Sequence, residues 1–138
     1  MMLRILLTVM MFWAVGSAAS INWEKDYRTA LTRAKMTNKP VMLVISTHKC
    51  RYCIQLEKET FADGMVIKAL NRDFINIIAY VDDNDYVPQD LLTGGTPTIW
   101  FLQPDGEPLF QPLMGALDAE NFIKALSIVH TEYNQIKK

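Results

Sequence analysis

The stretch "THKCRYCIQL", residues 47–56, holds both cysteines of the chain, Cys50 and Cys53. Directly before it lies "VMLVI", residues 41–45, a short apolar run with β-branched side chains that predicts a buried strand. Directly after it, "CIQLEKETF", residues 53–61, predicts a helix that Asp63 and Gly64 break. The two thiols thus fall where a strand gives way to a helix.

A disulfide spanning so short a loop removes little freedom from the unfolded chain, roughly 2 kcal/mol against about 3 for a loop of 15 residues, so stapling gains little here. Attachment of a c-type haem needs His directly after the second cysteine, where this chain has Ile54. A zinc site needs four ligands, and Cys50, Cys53, His48 and the distant His130 do not supply a second close pair. Thiol–disulfide exchange suits the placement better. Unsatisfied N–H groups and a partial positive charge at a helix N-terminus favour the reactive thiolate. Cys50, nearer the helix start, is the expected nucleophile, and Cys53, one turn on, is placed to attack a mixed disulfide formed there. Lys49 and Arg51 add positive charge, while His48 reads as part of a solvated basic patch.

Outward from this centre the helix and strand signals alternate. Trp23, Tyr27, Ala30, Leu31 and Ala34 recur at helical spacing after Asn22, a candidate cap. Beyond the motif, residues 65–74 predict a helix, residues 75–81 a second buried strand and residues 98–102 a third. "QPDGEP", residues 103–108, is a turn, and a short strand over residues 109–113 would complete a hairpin. Asp118 caps a last helix with Phe122, Ala125, Leu126, Val129 and Tyr133 on one face. The expected architecture is α/β, a mixed sheet flanked by helices with one helix before the core. Trp100 and Phe61 are expected in the core, Tyr52 is expected to be exposed, and Asp82–Asp85 reads as a solvated loop without the spacing of a calcium-binding EF-hand.

The first residues have the layout of a secretory signal: basic Arg4, an apolar run over residues 5–15, then small residues. The run is shorter than the roughly 20 residues that span a bilayer, and a cut after Ala19 is expected, with an uncleaved anchor as the alternative. Residues 1–19 are thus read as signal peptide and residues 20–138 as one domain. The charge is balanced, 14 Lys+Arg against 15 Asp+Glu in 138 residues, and becomes slightly more acidic once Arg4 is removed. Nothing in that balance favours nucleic acid, and there is no internal repeat.

The C-x-x-C together with "GTPT", residues 95–98, makes the chain resemble the exported thioredoxin-like group of thiol:disulfide oxidoreductases. The likeness extends through "GGTPTIWFLQPDGEPL" to the closing "GALDAENFIKAL". It is also similar, through "CIQLEKETF", to the C-terminal domain of the transmembrane thiol:disulfide interchange protein, where a glutamate likewise follows the second cysteine. The resemblance implies a thioredoxin-like fold, a cis bond between Thr96 and Pro97, and strand-like contacts between Thr96 and a client. It implies a redox-active centre of Cys50 and Cys53, with Thr96, Pro97, Tyr52 and Arg51 meeting the substrate.

Two features depart from thioredoxins proper. Lys49 replaces the tryptophan before the first cysteine, and Arg51-Tyr52 replaces Gly-Pro between the pair, which leaves the redox poise open. Val44 stands where many relatives have a buried aspartate serving the second cysteine, so Glu57, one turn after Cys53, is the candidate proton acceptor. The expectation is a periplasmic oxidoreductase acting as a reductase on protein clients, with no cofactor and no metal. It would be recharged by a membrane-embedded electron donor and carry no stable anchor after signal cleavage. Oxidase or isomerase action is the alternative within that class. A binding module with a passive disulfide or metal site is the alternative outside it.

Overall fold

Val41–Ser46 forms β1, and all six of its residues are buried. Such a strand needs neighbours on both edges and cover on both faces. A computed structural model describes residues 18–138. In it β1 pairs in parallel with β2, Ile75–Tyr80, and antiparallel with β3, Thr98–Leu102. A two-residue β4, Leu113–Met114, closes the order β2-β1-β3-β4 by pairing antiparallel with β3.

Among the described residues four α-helices cover the sheet: α1, Tyr27–Thr37; α2, Arg51–Lys58; α3, Gly64–Asp73; and α4, Ala119–Ile136. The period of two along β1 divides its side chains between two cores. Met42 and Val44 join Leu56 of α2, Val66 and Leu70 of α3, and Phe122, Leu126 and Val129 of α4. Val41, Leu43 and Ile45 face the other way and pack with Ala30 and Ala34 of α1, Leu91 and Trp100. The small side chains of α1 let that helix lie close to the sheet. Phe61 and Trp100 are both buried as expected, and the Trp100 indole N–H donates to the Leu91 carbonyl at 2.8 Å.

The N-terminal helix starts later than its apolar spacing implies. Asp26 caps it, accepting from the Thr29 N–H at 2.7 Å, whereas Trp23 forms an isolated parallel bridge to Asn76 beside β2. Glu24 N–H donates to the Asn76 carbonyl at 2.8 Å, so the segment before the cap extends the sheet edge instead of a helix. The expected strand over residues 109–113 is also mostly irregular. Only Leu113 and Met114 pair as a strand, although Leu109 N–H still reaches the Phe101 carbonyl and Leu102 bridges Pro108. The helix after the cysteines ends at Lys58. Residues Thr60–Ala62 form a single 3-10 turn, and the Thr60 hydroxyl there donates to the Leu117 carbonyl at 2.5 Å. Asp63 then caps α3 through the N–H groups of Met65 and Val66.

The expected signal peptide falls on residues 1–19, of which 1–17 lie outside the described residues. Among the described residues no helix is long and apolar enough to cross a membrane.

Candidate active site

The carboxyl ends of the parallel pair β1 and β2 lie side by side, with Ser46 registered opposite Tyr80. In open α/β sheets this edge is where sites collect, because loops and helix N-termini converge there. Chain leaving β1 turns through residues 47–49 and enters α2 with Cys50 as the capping residue.

Cys50 Sγ accepts from the Cys53 N–H at 3.2 Å and lies 3.4 Å from the Thr96 carbonyl oxygen, to which its thiol can donate. The Thr96–Pro97 bond is cis. Partial burial pushes the Cys50 thiol up. Hydrogen bonding from the Cys53 and Thr96 side chains and from the backbone N–H groups of Cys53 and Tyr52 outweighs it, leaving Cys50 below the ordinary thiol value. Cys53 is wholly buried one turn further on, and both cysteines are free thiols. The pair therefore divides into a partly accessible sulfur at the helix start and a sheltered one behind it.

The site residues named from the sequence are only partly gathered. Cys50, Cys53 and Thr96 meet through the hydrogen bonds just described, with buried Pro97 completing the loop under Cys50. Arg51 and Tyr52 are exposed on the first turn of α2, and Tyr52 is 56% accessible. No side-chain hydrogen bond among the described residues ties either of them down. Val44 is fully buried in the apolar core.

Glu57 is half-buried, and its carboxylate is turned toward the strand ends. One oxygen accepts from the Tyr80 hydroxyl, and the other from the Ser46 hydroxyl at 3.3 Å. No hydrogen bond among the described residues joins Glu57 directly to Cys53, its neighbour one turn back on α2.

Sequence reasoning missed Tyr80, Ser46 and the acidic turn that follows β2. The Asp82–Asp85 segment is not merely a solvated loop. Asp82 accepts from the His48 backbone N–H at 2.9 Å, Asp83 pairs with His48 Nε2 at 2.7 Å, and Asp85 accepts from the Tyr80 N–H at 2.9 Å. His48 is likewise more than a solvated cation. Its ring stacks on Tyr80 with centroids 4.0 Å apart and planes within 13°. The hydrogen bond to Asp83 raises its pKa above the usual histidine value. One signal did point here. Two parallel strands ending at residues 46 and 80 must bring their following turns together, so "THK" and "VDD" were bound to be neighbours. His48, Asp82 and Asp83 offer ligand atoms within 4.8 Å of one another, yet all three are exposed and engaged with each other. They form a tether for the segment that leads into Cys50.

Residues 27–130 match the model of the thioredoxin-like domain. The chain belongs to that family. Over 132 residues it is 31% identical to anterior gradient protein 1 of Xenopus laevis, covering 85% of this chain and 70% of that protein. It is 40% identical over 102 residues to the thiol:disulfide interchange protein DsbD of Escherichia coli, covering 70% of this chain but 18% of DsbD. Among solved structures, the oxidised C-terminal domain of Neisseria meningitidis DsbD superposes with a TM-score of 0.57 at 27% identity, covering 72% of this chain and 89% of that domain. The thioredoxin-like chain therefore corresponds to the C-terminal part of DsbD, as the "CIQLEKETF" resemblance implied.

Proposed function

We propose that this protein is a thiol:disulfide oxidoreductase that reduces disulfides of protein clients through Cys50 and Cys53. The observation that carries the reading is the position of Cys50. It is a partly exposed thiol at the start of α2, with its pKa lowered and a second, buried thiol one turn behind. The likeness to a thiol:disulfide interchange protein supports exchange chemistry; reduction, and an exported, periplasmic setting after removal of residues 1–19, complete the proposal.

The Cys50 thiolate attacks one sulfur of a client disulfide, forming a mixed disulfide and releasing one client thiolate. Cys53 loses its proton to Glu57 and attacks Cys50 Sγ. The Cys50–Cys53 bond forms as the bond to the client breaks, and the departing client thiolate takes up a proton. Two electrons have passed from the dithiol to the client. Thr96, beside Cys50, offers its backbone to an extended client segment, with Pro97 shaping the loop and Tyr52 and Arg51 flanking the approach. A dithiol donor, in the exported setting a membrane-embedded carrier, returns the pair to its reduced state.

Turbidity of insulin in the presence of dithiothreitol tests the activity. The protein accelerates B-chain precipitation well above the dithiothreitol background, and Cys50→Ser abolishes the acceleration. Equal rates for the two would remove the proposal.

A further inference from the structure

Glu57 is the one carboxylate on α2 turned toward the strand ends, and two hydroxyls from neighbouring strands meet it there. Tyr80 donates to one oxygen and Ser46 to the other, and these two residues are registered partners at the ends of β2 and β1. The donors sit on rigid elements. Ser46 is buried at 1% accessibility, while Tyr80 is gripped from behind by the His48 ring stacked on it and by Asp85, which accepts from its backbone N–H. Helix α2 thus does not hold the Glu57 rotamer alone.

We infer that Tyr80 and Ser46 are positioning residues that hold the Glu57 carboxylate in one orientation, one helical turn after Cys53, so that it can take the proton of Cys53 when the mixed disulfide is resolved. This rests on the exchange reading above and deepens it. A carboxylate oxygen has two lone pairs, so one donor on each leaves a site on each free for a proton. The clamping phenol does not itself titrate in the working range. Burial, then the adjoining Glu57 carboxylate, push Tyr80 well above the usual tyrosine value, so it remains a donor. A cleft of about 460 Å³ opens beside Glu57, lined on its other walls by Ile21, Trp23, Phe61, Ala62 and Ile67, which carry no charge.

The charged and titratable groups around the clamp are few. They are Tyr80 on β2, Cys53 on the same helix, His48 from the turn before α2, and Asp82, Asp83 and Asp85 from the turn after β2. Of these groups only the Tyr80 hydroxyl hydrogen-bonds the Glu57 carboxylate, joined there by the Ser46 hydroxyl.

The test is the rate of resolution against the rate of adduct formation, measured with oxidised glutathione as the disulfide. Reduced protein is mixed with excess oxidised glutathione and quenched in acid. Mass spectrometry then follows loss of the Cys50–glutathione adduct, the step that Cys53 performs. In Tyr80→Phe the carboxylate loses one of its two donors and its fixed orientation, and resolution slows about tenfold. Ser46→Ala slows it by less, and carries the test should Tyr80→Phe fail to fold. The rate of adduct formation at Cys50 stays as in the unmodified protein, which a general loosening of the fold would not allow. Glu57→Gln separates the two layers. If it slows resolution about tenfold or more while both hydroxyl variants keep the original resolving rate, the clamp is overturned and the role of Glu57 stands. If Glu57→Gln itself leaves the resolving rate unchanged, the proton-acceptor reading of Glu57 falls, and the clamp falls with it.

Discussion

The backbone N–H of Cys53 points at Cys50 Sγ across 3.2 Å, so the second cysteine stabilises the sulfur of the first. That single bond links the turn of the chain at the end of β1 to the electrostatics of the reactive sulfur. The helix could supply it only because Cys50 stands at the capping position, with its backbone still extended at φ −81° and ψ 121°.

Alkylation of Cys50 by iodoacetamide will therefore show a midpoint below the value of about 8.5 typical of a free thiol. Cys53, wholly buried, will stay unlabelled while the fold is intact. A midpoint at or above the free-thiol value would remove the electrostatic basis of the exchange reading. Peptide mapping of the labelled protein across the pH series decides it.

His48 titrates later than an ordinary histidine because its hydrogen bond to Asp83 favours the protonated ring. The folded value lies above the unfolded one. The pairing therefore stabilises the fold fully below the unfolded histidine pKa and loses that contribution as pH rises through the folded one. The side-chain resonances of His48 will move through their midpoint above that of a model peptide, and Asp83→Asn will bring the midpoint back. An unchanged midpoint in Asp83→Asn would show that the tether between the two turns contributes nothing.

The two glycines before Thr96 carry different constraints. Gly94 has φ +78°, a region costly for any side chain, whereas an added Cβ at Gly95 would meet only Met114 Cε at 3.0 Å, the end of a flexible side chain. Gly94→Ala is expected to lower stability by about 1 kcal/mol, and Gly95→Ala by a smaller amount. Urea unfolding of the two variants side by side gives the comparison, and a larger loss at Gly95 would mean that Met114 cannot give way.

Phe122 is fully buried and meets Phe61 edge-on at 5.7 Å between centroids, joining α4 to the turn that follows α2. Phe122→Ala will cost about 3–5 kcal/mol. On the same helix Ile128 is 63% accessible, and Ile128→Ala will change stability by no more than about 0.5 kcal/mol. Thermal and urea unfolding of both variants measures the contrast between the inward and outward faces of α4.

Much of this arrangement was legible in the chain. The strands at residues 41 and 98 and the cap at Asp118 announce themselves through short-range patterns, and the C-x-x-C announces its chemistry through spacing. What stayed hidden depends on contacts distant in sequence. Trp23 carries a helical period with Tyr27 and Ala30, yet pairing with Asn76 across the sheet edge overrides it, and Asp26 is the stronger cap. Residues 109–112 alternate too weakly to hold a strand against the short reach of β4. Glu57 could be picked out by its position after Cys53. Its partners Ser46 and Tyr80 could not, because only the register of β1 on β2 brings them together. The acidic run after Tyr80 looked solvated for the same reason, since its partner His48 lies 35 residues away from Asp83 in sequence.

The most direct measurement is covalent trapping on a defined client. Cys53→Ser is mixed with oxidised insulin and quenched with acid, and disulfide-linked products are mapped by mass spectrometry. A one-to-one adduct joined through Cys50, absent from Cys50→Ser, is the predicted result. No adduct, or one formed as readily by Cys50→Ser through Cys53, would contradict the assignment of Cys50 as the attacking sulfur.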